Sequence, residues 1–99
     1  LYYFEAKRIK EKDSSLKRSY INEGMDRFIK NKYPLGCMLG FLLEGDLNNT
    51  VGGINKLLIN DKRNSEVLNL STSTFKNYYE SRHVTIDLLK HLILDFTSL

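Results

Sequence analysis

A layered α/β domain is predicted by three features: an aromatic-led strand pattern at the start, two stretches with apolar residues at three- and four-residue spacing, and a short apolar run between them. Their order of strand, helix, strand, helix, then strand and a terminal element is that of a sheet packed against helices. With 99 residues and 41% apolar content, there is material for one core and no second domain.

Residues 1–10 read as the first strand, because Tyr2, Tyr3 and Phe4 favour β structure and no Gly or Pro interrupts the pattern. Alternation puts Leu1, Tyr3, Glu5, Lys7 and Ile9 on one face, and Tyr2, Phe4, Ala6 and Arg8 on the other. Both faces begin apolar, which predicts a central strand. Residues 11–15 form a polar loop in which Asp13 or Ser14 can cap a helix. Over residues 16–32, Tyr20, Ile21, Met25, Phe28 and Ile29 recur at helical spacing, and Pro34 closes the element. Gly24 inside it costs about 1 kcal/mol relative to Ala, so something is expected to pass close to its backbone.

The run at residues 35–43 predicts a strand buried on both faces and parallel in type. Asp46 caps a second helix lined by Leu47, Val51, Ile54, Leu57 and Leu58, extending to about Asn60. A polar turn is expected at residues 62–65, a short strand at 66–70, a connector at 71–74, and a strand or exposed loop at 78–84. Residues 85–96 are assigned to a helix on the spacing of Ile86, Leu89, Ile93 and Phe96, with an extended segment as the alternative.

A net charge of +3 and a pI near 9.0 suit a phosphate-bearing partner, although 15 basic against 12 acidic residues is a mild excess. No stretch has the apolar length of a membrane span, and the first residues lack the order of a secretion signal, so a cytoplasmic protein is expected. The chain opens on an apolar strand without Met, as expected of a piece of something longer. Cys37 is the one cysteine; its apolar neighbours predict a buried thiol without a redox role.

The sharpest chemical feature is Glu5 and Lys7, two apart on a strand and therefore on one face. A carboxylate there can bind Mg²⁺ or Mn²⁺, the Ala6 carbonyl can add a second oxygen, and the ammonium can orient a water and stabilise charge on a phosphate. As a bare pattern Glu-x-Lys is weak, and an exposed ion pair is its plain alternative. Through Tyr3-Phe4-Glu5-Ala6-Lys7-Arg8 the chain resembles the PD-(D/E)xK, or restriction-endonuclease-like, superfamily of nucleases. Tyr20-Ile21-Asn22-Glu23-Gly24-Met25-Asp26-Arg27-Phe28 and Leu35-Gly36-Cys37-Met38-Leu39-Gly40-Phe41 extend that likeness over most of the chain.

The resemblance implies a restriction-endonuclease-like fold, a central mixed sheet flanked by helices with its N-terminal elements missing, and a Mg²⁺-dependent endonuclease acting on DNA. It implies Glu5 and Lys7 as catalytic residues and Glu5 with Ala6 as metal ligands. It also implies an acidic residue on a preceding strand, which this sequence begins too late to hold. The expectation is that this acid lies upstream, or that the chain keeps the fold without cutting.

Arg8, facing away from Lys7, is a candidate phosphate contact. Glu23 and Arg27, four apart on a helix, are expected to pair with each other; the resemblance sets them and Tyr20 beside the Glu-x-Lys strand as candidate DNA-positioning residues. Arg82 and His83, with Tyr79 and Ser81, form a polar cluster able to meet phosphates, with a solvated loop as the alternative. His91 among leucines reads as a hydrogen-bonded core histidine, and His83 and His91 alone do not make a zinc site. No glycine spacing matches a nucleotide loop. Besides the nuclease, two further functions fit the sequence: a non-cutting nucleic-acid-binding or interaction module, and a structural domain that dimerises through an open sheet edge.

Overall fold

The first strand, β1, runs over Tyr3–Lys10 with charged side chains at Glu5, Lys7, Arg8 and Lys10. The computed structural model describes residues 3–33, 36–71 and 77–97. After a turn at Glu11 and Lys12, Asp13 caps α1 (Ser14–Ser19), its carboxylate accepting from the Leu16 amide at 2.9 Å. The backbone stays helical through a π-helical turn at Tyr20–Met25 and into α2 (Asp26–Asn31), ending at Lys32 in the left-handed region. Strand β2 (Gly36–Glu44) lies parallel to β1, pairing Glu5 with Met38 and Lys7 with Gly40.

Helix α3 (Leu47–Asn60) is capped by Asp46 as the sequence predicts, and buries Val51, Ile54 and Leu58. A single 3₁₀ turn (Asn64–Glu66) leads to β3 (Asn69–Leu70), β4 (Tyr78–His83) and β5 (Asp87–Asp95). The sheet order is β1-β2-β5-β4-β3, with β1, β2 and β5 parallel and β4 and β3 antiparallel to their neighbours. The α/β class and the mixed sheet therefore agree with the sequence. No helix among the described residues is long and apolar enough to cross a membrane.

Three expectations are corrected. Strand β1 is an edge strand, not a central one; its second face is open, with Phe4 61% exposed. Residues 85–96 form not a helix but β5, an interior strand between β2 and β4. Its Leu89, His91 and Ile93 are buried on one face while Leu88, Leu92 and Leu94 half-cover the other, so apolar residues on both faces replace clean alternation. The turn before it is closed by Asp87 at positive φ. The strand expected at 66–70 shrinks to Asn69–Leu70 beside the 3₁₀ turn. Both helical segments among the described residues pack on the face of the sheet that carries Ile9, Met38, Leu42, Leu89 and Ile93.

Gly24 explains how closely the helix sits on that face. A Cβ there would stand 2.4 Å from Met38 Cε and 3.5 Å from Lys7 Cγ, so the missing side chain lets the π-helical turn rest on the sheet. Ala at this position gains up to about 1 kcal/mol of helix propensity but overpacks a fully buried methionine at about 1–3 kcal/mol. We expect Gly24→Ala to be destabilising by about 1 kcal/mol net in urea unfolding; a stabilised variant would show that the helix does not depend on this approach.

Candidate functional site

Glu5 and Lys7 point from β1 toward the helix, and their side chains are 22% and 21% exposed. Glu23 and Arg27, expected to pair along the helix, instead reach across to the strand. Lys7 Nζ lies 3.9 Å from Glu23 Oε2, and Arg27 Nη1 lies 3.9 Å from Glu5 Oε2. Four alternating charges thus face one another between strand and helix, at distances too long for tight pairing. Each pair is worth about 0–1 kcal/mol, since Glu23 and Arg27 remain largely in solvent.

Open clefts border this cluster. A groove of about 330 Å³ along the β1 edge is lined by Ala6, Lys7, Arg8, Leu16, Ser19 and Phe41. Arg8 is on the exposed face, as its alternation predicts, yet shares this groove with Lys7 because β1 is at the edge. A second cleft of about 340 Å³ runs along the helix past Glu23, Asp26, Arg27 and Lys30. The first cleft carries the cations Lys7 and Arg8, while the second balances Arg27 and Lys30 against Glu23 and Asp26.

The residues present fit a magnesium ion of one kind only. Mg²⁺ commonly takes one or two carboxylates and completes its shell with water and substrate phosphate. The part-exposed Glu5 carboxylate, held only loosely by Arg27, meets that requirement, with the Ala6 carbonyl next to it in the chain. A cage made wholly of side chains does not fit: among the described residues no group of three or more His, Cys, Asp or Glu comes together to hold a metal.

The remaining candidates lie elsewhere. Tyr20 is fully buried and its hydroxyl is 2.7 Å from His91 Nδ1, which takes it away from any nucleic acid. His83 is also buried, so of the expected phosphate cluster only Arg82 reaches solvent, 3.4 Å from Asp87. Cys37 is buried, as its neighbours predict, and burial pushes its thiol pKa up.

What the sequence did not reveal is a buried hydrogen-bonded relay joining Tyr20, His91, Ser81, His83 and Glu66. Ser81 Oγ is 2.7 Å from both His91 Nε2 and His83 Nε2, and His83 Nδ1 is 2.6 Å from Glu66 Oε1. Arg63 then holds Glu66 through two nitrogens at 2.8 and 2.9 Å, and Asp26 through two at 3.2 and 2.7 Å. The anchoring carboxylate fixes every proton. Glu66 can only accept, so His83 Nδ1–H donates to it; His83 Nε2 then accepts from Ser81, Ser81 accepts from His91 Nε2–H, and His91 Nδ1 accepts from Tyr20.

The electrostatics agree with that direction. The Arg63 guanidinium, hydrogen-bonded to Glu66, holds its carboxyl below the usual range. Burial pushes His83 down against the opposing pull of Glu66, and pushes His91 down to about 3, so both rings are neutral near pH 7. Burial also raises the Tyr20 hydroxyl, keeping it a donor. The signal in the sequence is Ser81 and His83, two apart on the inward face of β4; it becomes legible once β5 is a strand, since Tyr79 opposite His91 sets Ser81 diagonal to that ring. No protein-family model, curated protein or solved structure matches this chain.

Proposed function

We propose that the chain is a metal-dependent phosphodiesterase domain acting on DNA, with Glu5 and Lys7 as its catalytic residues. The observation that carries this is a carboxylate and an ammonium on one face of an edge strand, answered at 3.9 Å from the facing helix by Arg27 and Glu23. The PD-(D/E)xK likeness of the Glu-x-Lys strand and the helix and strand after it supports the same function. Glu5, with the Ala6 carbonyl, would hold Mg²⁺ or Mn²⁺. Bound there, the ion supplies an acidified water and positive charge beside the phosphate. Lys7 orients the attacking water and stabilises charge on the phosphoryl oxygens, Glu23 holds Lys7 in place, and Arg8, Arg27 and Arg82 contact the DNA backbone.

The mutual pairing of the four charges, which engages Glu5 and Lys7 without a metal, favours a second function: DNA binding without cutting. One experiment separates the two. Supercoiled plasmid is incubated with the chain in Mg²⁺, Mn²⁺ or EDTA, while binding of a short duplex is measured from 50 to 200 mM salt. Nicking that needs the metal supports the phosphodiesterase; metal-independent, salt-sensitive binding without nicking supports the binding module. Neither nicking nor salt-sensitive binding would remove both.

A further inference from the structure

The π-helical turn that presents Glu23 is held at both ends by the buried relay. Tyr20 opens that turn and Asp26 follows its last residue, and the relay from Tyr20 to Glu66 continues through Arg63 to Asp26. Tyr20 also lies against Gly40, the residue in register with Lys7: a Cβ on Gly40 would stand 3.3 Å from Tyr20 Cε2. We propose that this relay positions Glu23 and Arg27 against Lys7 and Glu5, and that adding one proton to it releases them. Tyr20, Ser81 and His83 are then positioning residues for the site, an inference that rests on the assignment of Glu5 and Lys7 made above.

Proton counting supplies the physical basis. The four bonds linking Tyr20, His91, Ser81, His83 and Glu66 use four hydrogens: one each from the tyrosine, the serine and two neutral imidazoles. A fifth, on His83, makes its Nε2 a donor. Ser81, whose oxygen can accept from both rings, then either leaves its own hydrogen without an acceptor or turns its hydroxyl toward His91, whose hydrogen moves to Nδ1, and leaves that of Tyr20 without one; in both cases one hydrogen is orphaned in a fully buried place. Ser81 and His91 sit in interior strands paired on both sides, whereas Tyr20 belongs to a helix seated by side chains. The helix is therefore the part that yields. The groups facing His83 are Glu66 and Arg63 from the turn, Asp26 from α2, Ser81 on its own strand and His91 from β5.

Histidine ¹⁵N NMR on the full chain tests this without DNA or metal. At pH 7.5 the expected protonated nitrogens are Nε2 of His91 and Nδ1 of His83. On acidification, the amide resonances of residues 20–27 are expected to shift with the midpoint of His83; in Ser81→Ala, His83 titrates and those amides no longer follow. Tyr20→Phe, which detaches only the helix, is expected to uncouple them in the same way and serves if Ser81→Ala does not fold. The opposite tautomers, helix amides that ignore His83, coupling that survives both variants, or global unfolding at that midpoint would each overturn the proposal. Because no substrate is used, failed plasmid cleavage leaves this result standing, and a pH-indifferent helix beside metal-dependent cleavage removes the relay's role alone.

Discussion

Lowering the pH from 7 to 4.5 is expected to remove a large part of the folding stability. Above about pH 6.5 the folded and unfolded chains carry the same protons on His91. Below it the unfolded chain binds one that the folded chain refuses, because burial holds His91 down to about 3. Stability therefore falls by about 1.4 kcal/mol per pH unit through the window from 6.5 toward 3 for this ring alone. His83, also depressed by burial, adds to the loss below 6.5, and Glu66, held low by Arg63, adds to it below 4.5. A loss of about 2–4 kcal/mol by pH 4.5 is set against the 5–15 kcal/mol typical of a domain. Urea midpoints measured at pH 7.5, 6, 5 and 4.5 check this, and His91→Gln is expected to flatten the slope. Stability constant from pH 7.5 to 5 would mean that the two imidazoles are not held neutral.

Replacing Lys7 by alanine, or Glu5 by glutamine, is expected to reduce metal-dependent DNA cleavage by about a hundredfold or more, the usual effect of removing a group that stabilises charge in a transition state. The fold should tolerate both changes. Each breaks a 3.9 Å pair to a largely exposed partner, so about 0–1 kcal/mol of stability is at stake. Arg8→Ala serves as the contrast, because it leaves the pair on the other face intact; it should weaken binding and its salt dependence while sparing the rate at saturating DNA. Single-turnover rates at several DNA concentrations separate these effects. A full rate in either the Lys7 or the Glu5 variant removes the catalytic assignment.

Much of this architecture was legible from local patterns. The same-face relation of Glu5 and Lys7 needs only the period of a strand, and the helices at Ser14–Asn31 and Leu47–Asn60 announce themselves through apolar spacing and the capping carboxylates Asp13 and Asp46. Non-local pairing hid the rest. Strand β5 is interior and carries apolar residues on both faces, so its sequence does not distinguish it from a short buried helix. The place of β1 at the edge depends on which strands pair, and no residue within β1 states it. The partners of Glu23 and Arg27 lie across a strand–helix crossing, where an i,i+4 rule points to the wrong neighbour. The relay draws on the helix, the 3₁₀ turn, β4 and β5, so its members look unrelated until the sheet is assembled.

Magnesium titration followed on backbone amide resonances tests most directly whether an ion sits between β1 and the helix. Saturable shifts are predicted at Glu5, Ala6 and Lys7 and on the facing helix at Glu23 and Arg27, lost in Glu5→Gln with the remaining spectrum unchanged. Shifts centred on other acidic residues, such as Glu44 and Asp46, or a response that persists without the Glu5 carboxylate, would contradict it.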